Sequence, residues 1–294
     1  MAYNSKTNPV LGLLCGLTAA AIWGGMYVVS KVVMRVIPPF SLIVLRLVLG
    51  ILTLAAIVLV RRGWKVTRIQ FWRIFAVGML GYGISLGFQF VGTRLSTAAN
   101  GSLVTSATPA FVLLFAALLL SEKITLRRLM ALLVASAGVV AVIDPRSAAI
   151  SSSFFWGNIC LVAAALTWAL YSVLIRKVTR DTDVLSTTLI AFIGGLPVCL
   201  PIGGWEIAST GLRPISPGVV AGILFLGIIS TALAMYLWNT AFAVLDAGVA
   251  SLTFFAQPIV GTLLSVIFLS EKITPLFILG GILIGLALII STNG

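Results

Sequence analysis

Ten apolar runs, separated by proline, glycine or charged residues, limit most strongly what this chain can fold into. They cover approximately residues 10–30, 40–60, 71–91, 98–120, 128–143, 154–175, 184–205, 217–239, 247–269 and 275–291. With 60% hydrophobic and 9% charged residues over 294 positions, the chain has too few polar side chains to cover a water-soluble surface of this size. Most runs approach the roughly 20 apolar residues that cross a hydrocarbon core. The sequence therefore predicts an all-α membrane protein with ten transmembrane helices.

The charge distribution predicts an orientation. The net charge is +12, from nineteen basic and seven acidic side chains, and the basic residues lie mostly at the ends of apolar runs. This placement is typical of cytoplasmic loops and argues against a nucleic-acid partner. With the amino terminus in the cytoplasm, twelve basic residues fall on inner loops and six on outer loops, and Arg46 lies within the second run. We expect a multi-pass protein of the cell inner (plasma) membrane with both termini cytoplasmic.

Several kinds of chemistry are excluded or disfavoured by residue type. The sequence contains no histidine, which excludes imidazole catalysis and imidazole metal ligation. Cys15, Cys160 and Cys199 all lie inside apolar runs and are typical of small buried side chains. The glycine-rich lysine loop of ATP hydrolases is also missing. We therefore predict no enzymatic activity, no catalytic residue, no metal and no cofactor.

The chain contains an internal repeat. Residues 121–125, Ser-Glu-Lys-Ile-Thr, recur unchanged at 270–274, an offset of 149. The same offset pairs Pro109 with Pro258 and Gly78 with Gly227.

Trp23 and Trp168 extend this correspondence to the first helix of each half, at an offset of 145. The sequence thus predicts a first five-helix repeat in residues 1–148 and a second in 149–294, forming one transport domain. Because five is odd, the second repeat crosses the membrane in the opposite sense. Inverted repeats of this kind are characteristic of secondary transporters.

The chain resembles the drug/metabolite transporter superfamily in three features. These are tryptophan in helices one and six, proline within helices four and nine, and a Ser-Glu-Lys-Ile-Thr loop after helix four and after helix nine. The chain looks like an EamA-type permease over nearly its whole length, and within that group it is similar to bacterial exporters of aromatic and other neutral amino acids. The resemblance implies alternating-access transport, in the export direction, of small neutral or zwitterionic metabolites. Its partners would be a small-molecule substrate and the lipid bilayer; a single chain would suffice, and a homodimer is left open.

The two prolines predict helix kinks beside a central cavity, because a broken membrane helix is tolerated where it lines a cavity or is covered by protein. The alternative is that both kinks face lipid and are repaired by neighbouring helices. Small and polar residues on one face of helix three indicate either the cavity or close helix packing. The residues that we predict to bind substrate are Trp23, Tyr82, Ser85, Gln89, Asn100, Ser106, Trp168, Tyr171, Asn239 and Gln257.

The positions of the charged residues limit the charge of the substrate and indicate residues that control access to the site. No carboxylate falls at mid-span, which argues against a permanently cationic substrate. Glu122 and Glu271 follow helices four and nine, where the negative end of the helix dipole requires compensation, and we expect them to have gate or structural roles. Arg46 either extends to the outer interface or pairs with a substrate carboxylate or a gate acid.

Helices five and ten are nearly free of polar groups and are expected at the periphery, with Gly281 and Gly285 as a close-packing pair. Two other functions are kept beside amino-acid export. One is a nucleoside or sugar-conjugate carrier of the same superfamily, and the other is a membrane scaffold that transports nothing.

Overall fold

A computed structural model describes residues 9–61, 66–120, 126–143, 151–179, 182–211, 214–245, 250 and 253–292. Within these ranges the chain is helical apart from short connections. The helices are α1 (Pro9–Val33), α2 (Pro39–Arg61), α3 (Arg68–Leu95), α4a (Ala98–Thr105), α4b (Thr108–Leu120), α5 (Leu126–Ile143), α6 (Ser152–Thr179), α7 (Val184–Thr210), α8 (Pro217–Val244), α9 (Ala256–Leu269) and α10 (Pro275–Thr292).

Seven segments in the described part of the chain are long and apolar enough to cross a membrane: α1, α2, α3, α4a with α4b, α6, α7 and α8. Two shorter apolar helices, Ala256–Leu269 and Pro275–Ala287, follow them. The multi-pass membrane architecture and the all-helical class are therefore confirmed. Ten crossings arranged as two inverted repeats stay a prediction.

Helix starts follow the local sequence. The Ser216 hydroxyl accepts a hydrogen bond from the Val219 N–H, and Pro217 occupies the first turn of α8. The Thr274 hydroxyl accepts from the Phe277 N–H in the same way at the start of α10. Both arrangements satisfy a backbone donor that has no partner within the helix.

Two helices contain π-helical segments, Met79–Ser85 in α3 and Phe225–Leu233 in α8. The Thr231 hydroxyl donates to the Leu226 carbonyl, five residues earlier. Such wide turns are rare, and they frequently occur at functional sites. The repeat-related Gly78 directly precedes the first segment, and Gly227 lies within the second.

The packing places α1 at the centre of the described helices, against α8, α9 and α4a. Helix α6 contacts α3 and α4b, while α2 packs on α7 and α5 packs on α10. Close approach depends on glycine where α1 crosses α9, because a Cβ at Gly24 would lie 2.7 Å from the Gln257 carbonyl oxygen. This crossing brings polar residues of α4a and α9 against the middle of α1.

The peripheral helices α5 and α10 pack through Gly138 and Gly280, and not through the expected Gly281 and Gly285. A Cβ at Gly138 of α5 would meet the Gly280 carbonyl oxygen at 2.9 Å. A Cβ at Gly281 would touch only Leu103, at 3.8 Å, and a Cβ at Gly285 would meet no atom of the described residues within 4 Å. Gly281 and Gly285 therefore do not bring two described helices of the chain together, contrary to the expected packing role within the chain, and both line an open cleft.

Candidate functional site

A central cavity of about 30 Å³ lies where α1, α3, α4a, α4b and α6 meet α8 and the start of α9. Its wall combines aromatic and apolar side chains with neutral hydrogen-bonding groups, and none of the described residues that line it is charged. The lining residues are Trp23, Met26, Tyr27, Ser85, Leu86, Gln89, Thr105, Thr108, Ala164, Trp168, Met235, Phe254 and Gln257.

A chain of hydrogen bonds crosses this cavity wall. The Gln89 side-chain amide donates to the Tyr27 hydroxyl at 2.6 Å, and the Tyr27 and Thr105 hydroxyls are 2.6 Å apart. From the other side the Gln257 amide donates to the Thr105 hydroxyl at 2.8 Å and to the Ser102 carbonyl at 3.1 Å. The network joins four helices, α1, α3, α4a and α9, so a movement of any one of them alters the polar surface of the cavity.

The two repeat-related tryptophans meet in the cavity wall but differ in their hydrogen bonds. Their ring centres are 6.1 Å apart and nearly perpendicular. The Trp23 indole N–H donates to the Ser230 carbonyl, in the π-helical segment of α8, at 3.1 Å. The Trp168 indole nitrogen has no hydrogen-bond partner among the described residues, although the side chain is only 8% exposed. A buried donor without a partner at a cavity wall is available to a ligand.

Five of the ten residues predicted to bind substrate line the cavity: Trp23, Ser85, Gln89, Trp168 and Gln257. They come from α1, α3, α6 and α9. Ser85 turns its hydroxyl to the Ala164 carbonyl of α6, at 2.9 Å.

Three of the other predicted residues form a buried layer behind the tryptophans. The Tyr82 and Tyr171 hydroxyls are 2.8 Å apart, and Asn239 interacts with both of them. The Asn239 amide also donates to the Thr188 hydroxyl at 2.8 Å. The Tyr82 ring packs edge-on to Trp168, with ring centres 5.9 Å apart. These residues therefore support the cavity wall and do not line it.

The last two predicted residues lie away from the cavity. Asn100 donates to the Asn158 side-chain oxygen at 3.1 Å, and the Ser96 hydroxyl binds the same oxygen at 2.6 Å. Ser106 lies at the break between α4a and α4b and lines a separate cleft of about 390 Å³, which also contains Pro258.

The prolines accompany helix breaks but do not themselves line the cavity. Pro109 is buried in the first turn of α4b, directly after the break at residues 106–107. Pro258 lies in the first turn of α9 and faces the cleft beside α10. The cavity is lined instead by neighbours of the prolines, among them Thr108 and Gln257.

Glu271 binds a helix start across the molecule. Its two carboxylate oxygens accept the backbone N–H groups of Ala98, at 2.8 Å, and Ala99, at 2.9 Å. The positive end of the α4a dipole thereby compensates the charge. Lys31 lies nearby, where its ammonium group donates to the Thr93 carbonyl at 2.8 Å and is attracted electrostatically to Glu271. This cluster links the ends of α1 and α3 to the start of α4a through Lys31 and Glu271. Glu122 lies outside the described residues.

Arg46 is fully buried, with 0% exposure. Its Nε donates to the Thr231 hydroxyl at 2.7 Å, and Nη1 lies 3.4 Å from the Met26 sulfur. The guanidinium group lies over the Phe90 ring, 4.9 Å from its centre. The side chain therefore points into the bundle and does not extend to the outer interface.

The ten residues predicted to bind substrate do not include eight residues of the cavity wall. Tyr27, Thr105 and Thr108 adjoin the patterns used for prediction, namely the first tryptophan and the first proline. Met26, Leu86, Ala164, Met235 and Phe254 carry no such signal, because an apolar residue in a membrane helix faces lipid, protein or cavity with the same side chain.

Comparisons with known proteins identify relatives that are transporters. The EamA-like transporter family matches residues 10–143 and 155–293. An uncharacterized transporter of Archaeoglobus fulgidus is 26% identical, over 95% of this chain and 95% of its own. Protein PecM of Dickeya dadantii is also 26% identical, over 92% of this chain and 89% of its own. A protein crystal structure superimposes with a TM-score of 0.70 at 22% identity, covering 97% of this chain and 98% of that one. The family matches extend over most of the sequence, so the chain belongs to the EamA-like transporter family.

Proposed function

We propose that the protein is an alternating-access secondary transporter that exports small neutral or zwitterionic metabolites, above all amino acids, including aromatic ones. The observation that carries this proposal is the composition of the central cavity. Aromatic rings and neutral amides and hydroxyls surround it, and it is lined from both halves of the chain.

The cavity wall is suited to a zwitterion. A zwitterion that enters a dry site loses hydration, and hydrogen-bonding groups must replace that hydration. Gln89, Thr105 and Gln257 supply such groups, while Trp23 and Trp168 supply apolar and π contact. A wall without a fixed charge among its described residues accepts several side-chain types, which favours broad specificity.

The small volume favours alternating access over an open pore. About 30 Å³ accommodates little more than a water molecule, whereas pockets for drug-sized ligands measure about 300–1,000 Å³. Helices must therefore separate before a metabolite enters. The Glu271 contact with α4a closes one end, and opening it would admit substrate from that side.

The match of one family to two stretches of similar length supports the repeat. The presence of a π-helical segment in both α3 and α8 supports it as well. Single cysteines placed at Glu122 and Glu271, in a variant lacking the three native cysteines, test the inverted topology. An impermeant maleimide is expected to label them from opposite sides of the membrane, and labelling from one side only would contradict it.

Flux in proteoliposomes tests the function. The purified protein is reconstituted and loaded in turn with phenylalanine, leucine, uridine and a sugar phosphate, with and without a pH gradient. We expect the amino acids to exchange across the membrane. Exchange of uridine or the sugar phosphate alone would favour the other carriers of the superfamily. The absence of flux with every compound would favour the scaffold.

A further inference from the structure

A buried positive charge lies beside the cavity, and no described residue supplies its counter-ion. Arg46 has 0% exposure, and its contacts are the neutral Thr231 hydroxyl, Met26 sulfur and Phe90 ring. Its Nη2 atom has no hydrogen-bond partner in the described ranges. A guanidinium group carries five N–H donors, so most of its donor capacity is unused. An unpaired charge in this position is costly for folding, which favours a role that requires it.

Each acidic side chain in the described ranges accepts hydrogen bonds from backbone N–H groups away from Arg46. Asp183 accepts the N–H groups at the start of α7. Glu206 accepts the Ser41 N–H at 2.8 Å, near the start of α2. Glu271 accepts the first N–H groups of α4a. Within the part of the chain that the structure describes, none of these carboxylates contacts Arg46.

The Met26 side chain connects Arg46 to the cavity. Met26 lines the cavity and also contacts Nη1 through its sulfur, at 3.4 Å. Methionine is flexible and unbranched, and its thioether is a weak acceptor. Rotation of this side chain would expose the guanidinium to the cavity at low energetic cost. Gln89, which precedes the Phe90 ring under the guanidinium, already lines the cavity.

We propose that Arg46 binds the carboxylate of the transported substrate, after the Met26 side chain has moved aside. This inference rests on the proposed function and narrows it to substrates that carry a carboxylate. The carboxylate replaces a weak sulfur contact with charge-assisted hydrogen bonds to Nη1 and Nη2, the planar fork that carboxylates match. The rest of the substrate then lies between Trp23 and Trp168, and broad specificity concerns its side chain only.

Two assays test the proposal independently. In the first, thermal unfolding of the detergent-purified protein is followed with 3-phenylpropionate, with its uncharged amide and with glucose 6-phosphate. In the second, phenylalanine flux into proteoliposomes is inhibited by phenylalanine and by phenylalaninamide. We expect the carboxylate alone to raise the melting temperature. We also expect phenylalanine to inhibit at about tenfold lower concentration than the amide, a factor that one charge-assisted hydrogen bond can supply.

Arg46→Met is the decisive variant, and Arg94→Met, at an exposed position of α3, is the matched control. Arg46→Met is expected to remove the carboxylate response and to bring the inhibition ratio near one. It should not lower the melting temperature, because it replaces an unpaired buried charge with an apolar side chain. Arg94→Met should leave both responses intact, and Arg46→Lys should retain part of the discrimination.

The outcomes separate this inference from the proposed function. Phenylalanine flux with an unchanged ratio in Arg46→Met would overturn the role of Arg46 and leave amino-acid transport standing. An Arg46-dependent rise of the melting temperature with the carboxylate, without any flux, would support carboxylate binding by Arg46 and overturn the transport proposal. A wild-type protein that responds to glucose 6-phosphate and to no carboxylate would overturn the substrate class. A lowered melting temperature in Arg46→Met with unchanged carboxylate binding would identify a purely structural residue.

Discussion

Replacing Glu271 by glutamine is expected to open one end of the bundle. The carboxylate accepts two backbone N–H groups, from Ala98 and Ala99, at 2.8 and 2.9 Å. Glutamine keeps one acceptor oxygen but places an NH₂ group opposite the other N–H, so one hydrogen bond is lost. A hydrogen bond to a charged group contributes about 1.5–3 kcal/mol, and Glu271 is partly exposed, which favours a value of about 2 kcal/mol. That loss would shift the equilibrium between closed and open states roughly 30-fold.

The assay is the labelling rate of a cavity cysteine. Ser85→Cys is introduced in a variant without native cysteines, because Ser85 lines the cavity and is buried. Labelling by an impermeant maleimide is followed from each side of the membrane. With Glu271→Gln the rate should rise roughly 30-fold from the side on which Glu271 lies, since it follows the population of the open state.

Glu206→Gln provides a matched control. Glu206 accepts the Ser41 N–H at 2.8 Å and the Ser41 hydroxyl at 3.0 Å, so the chemical change resembles that at Glu271. The contact joins α7 to α2 and does not involve α4a. An unchanged labelling rate in Glu271→Gln, or an equal increase in Glu206→Gln, would refute the assignment of Glu271 to the gate.

Two further pairs of variants test the packing and the cavity wall. Trp23→Phe removes a buried hydrogen bond to the Ser230 carbonyl, whereas the Trp168 indole nitrogen has no partner to lose among the described residues. Trp23→Phe should therefore lower the free energy of unfolding by about 1–2 kcal/mol more than Trp168→Phe. Thermal unfolding measures the difference, and equal losses would contradict it. Gly24→Ala places a Cβ 2.7 Å from the backbone of α9 and should reduce the yield of folded protein. Gly285→Ala meets nothing within 4 Å in the described part of the chain and should be neutral or stabilising by up to about 1 kcal/mol, so comparable losses in the two variants would show that the α1–α9 contact is not critical.

The sequence predicts the positions of the helices more completely than it predicts the residues of the site. Apolar length and proline-based starts predict most helices within a few residues, because both depend on local chemistry. The location of the cavity depends instead on which face of each helix is buried. Trp23, Trp168 and Gln257 are predictable because their polarity or size is unusual within an apolar run.

The remaining site residues depend on packing that no local pattern encodes. Tyr82 and Tyr171 form a hydrogen bond with each other and lie behind Trp168, which lines the cavity. Met26 of α1 and Phe254, just before α9, line the cavity near the point where α1 crosses α9 closely at Gly24. The two π-helical segments lie within continuous apolar runs, so the sequence alone predicts ordinary α-helix there.

The central claim is that metabolites cross the membrane through the cavity between Trp23 and Trp168. The most direct test is the flux of phenylalanine in proteoliposomes that contain Gln89→Ala, which changes the cavity wall. Phe277→Ala serves as control, because Phe277 packs on the Leu103 cluster beside α10, away from the cavity. At equal protein levels, we expect Gln89→Ala to reduce the flux at least severalfold and Phe277→Ala to preserve it. Equal flux in the two variants, whether both normal or both lost, would contradict transport through this cavity.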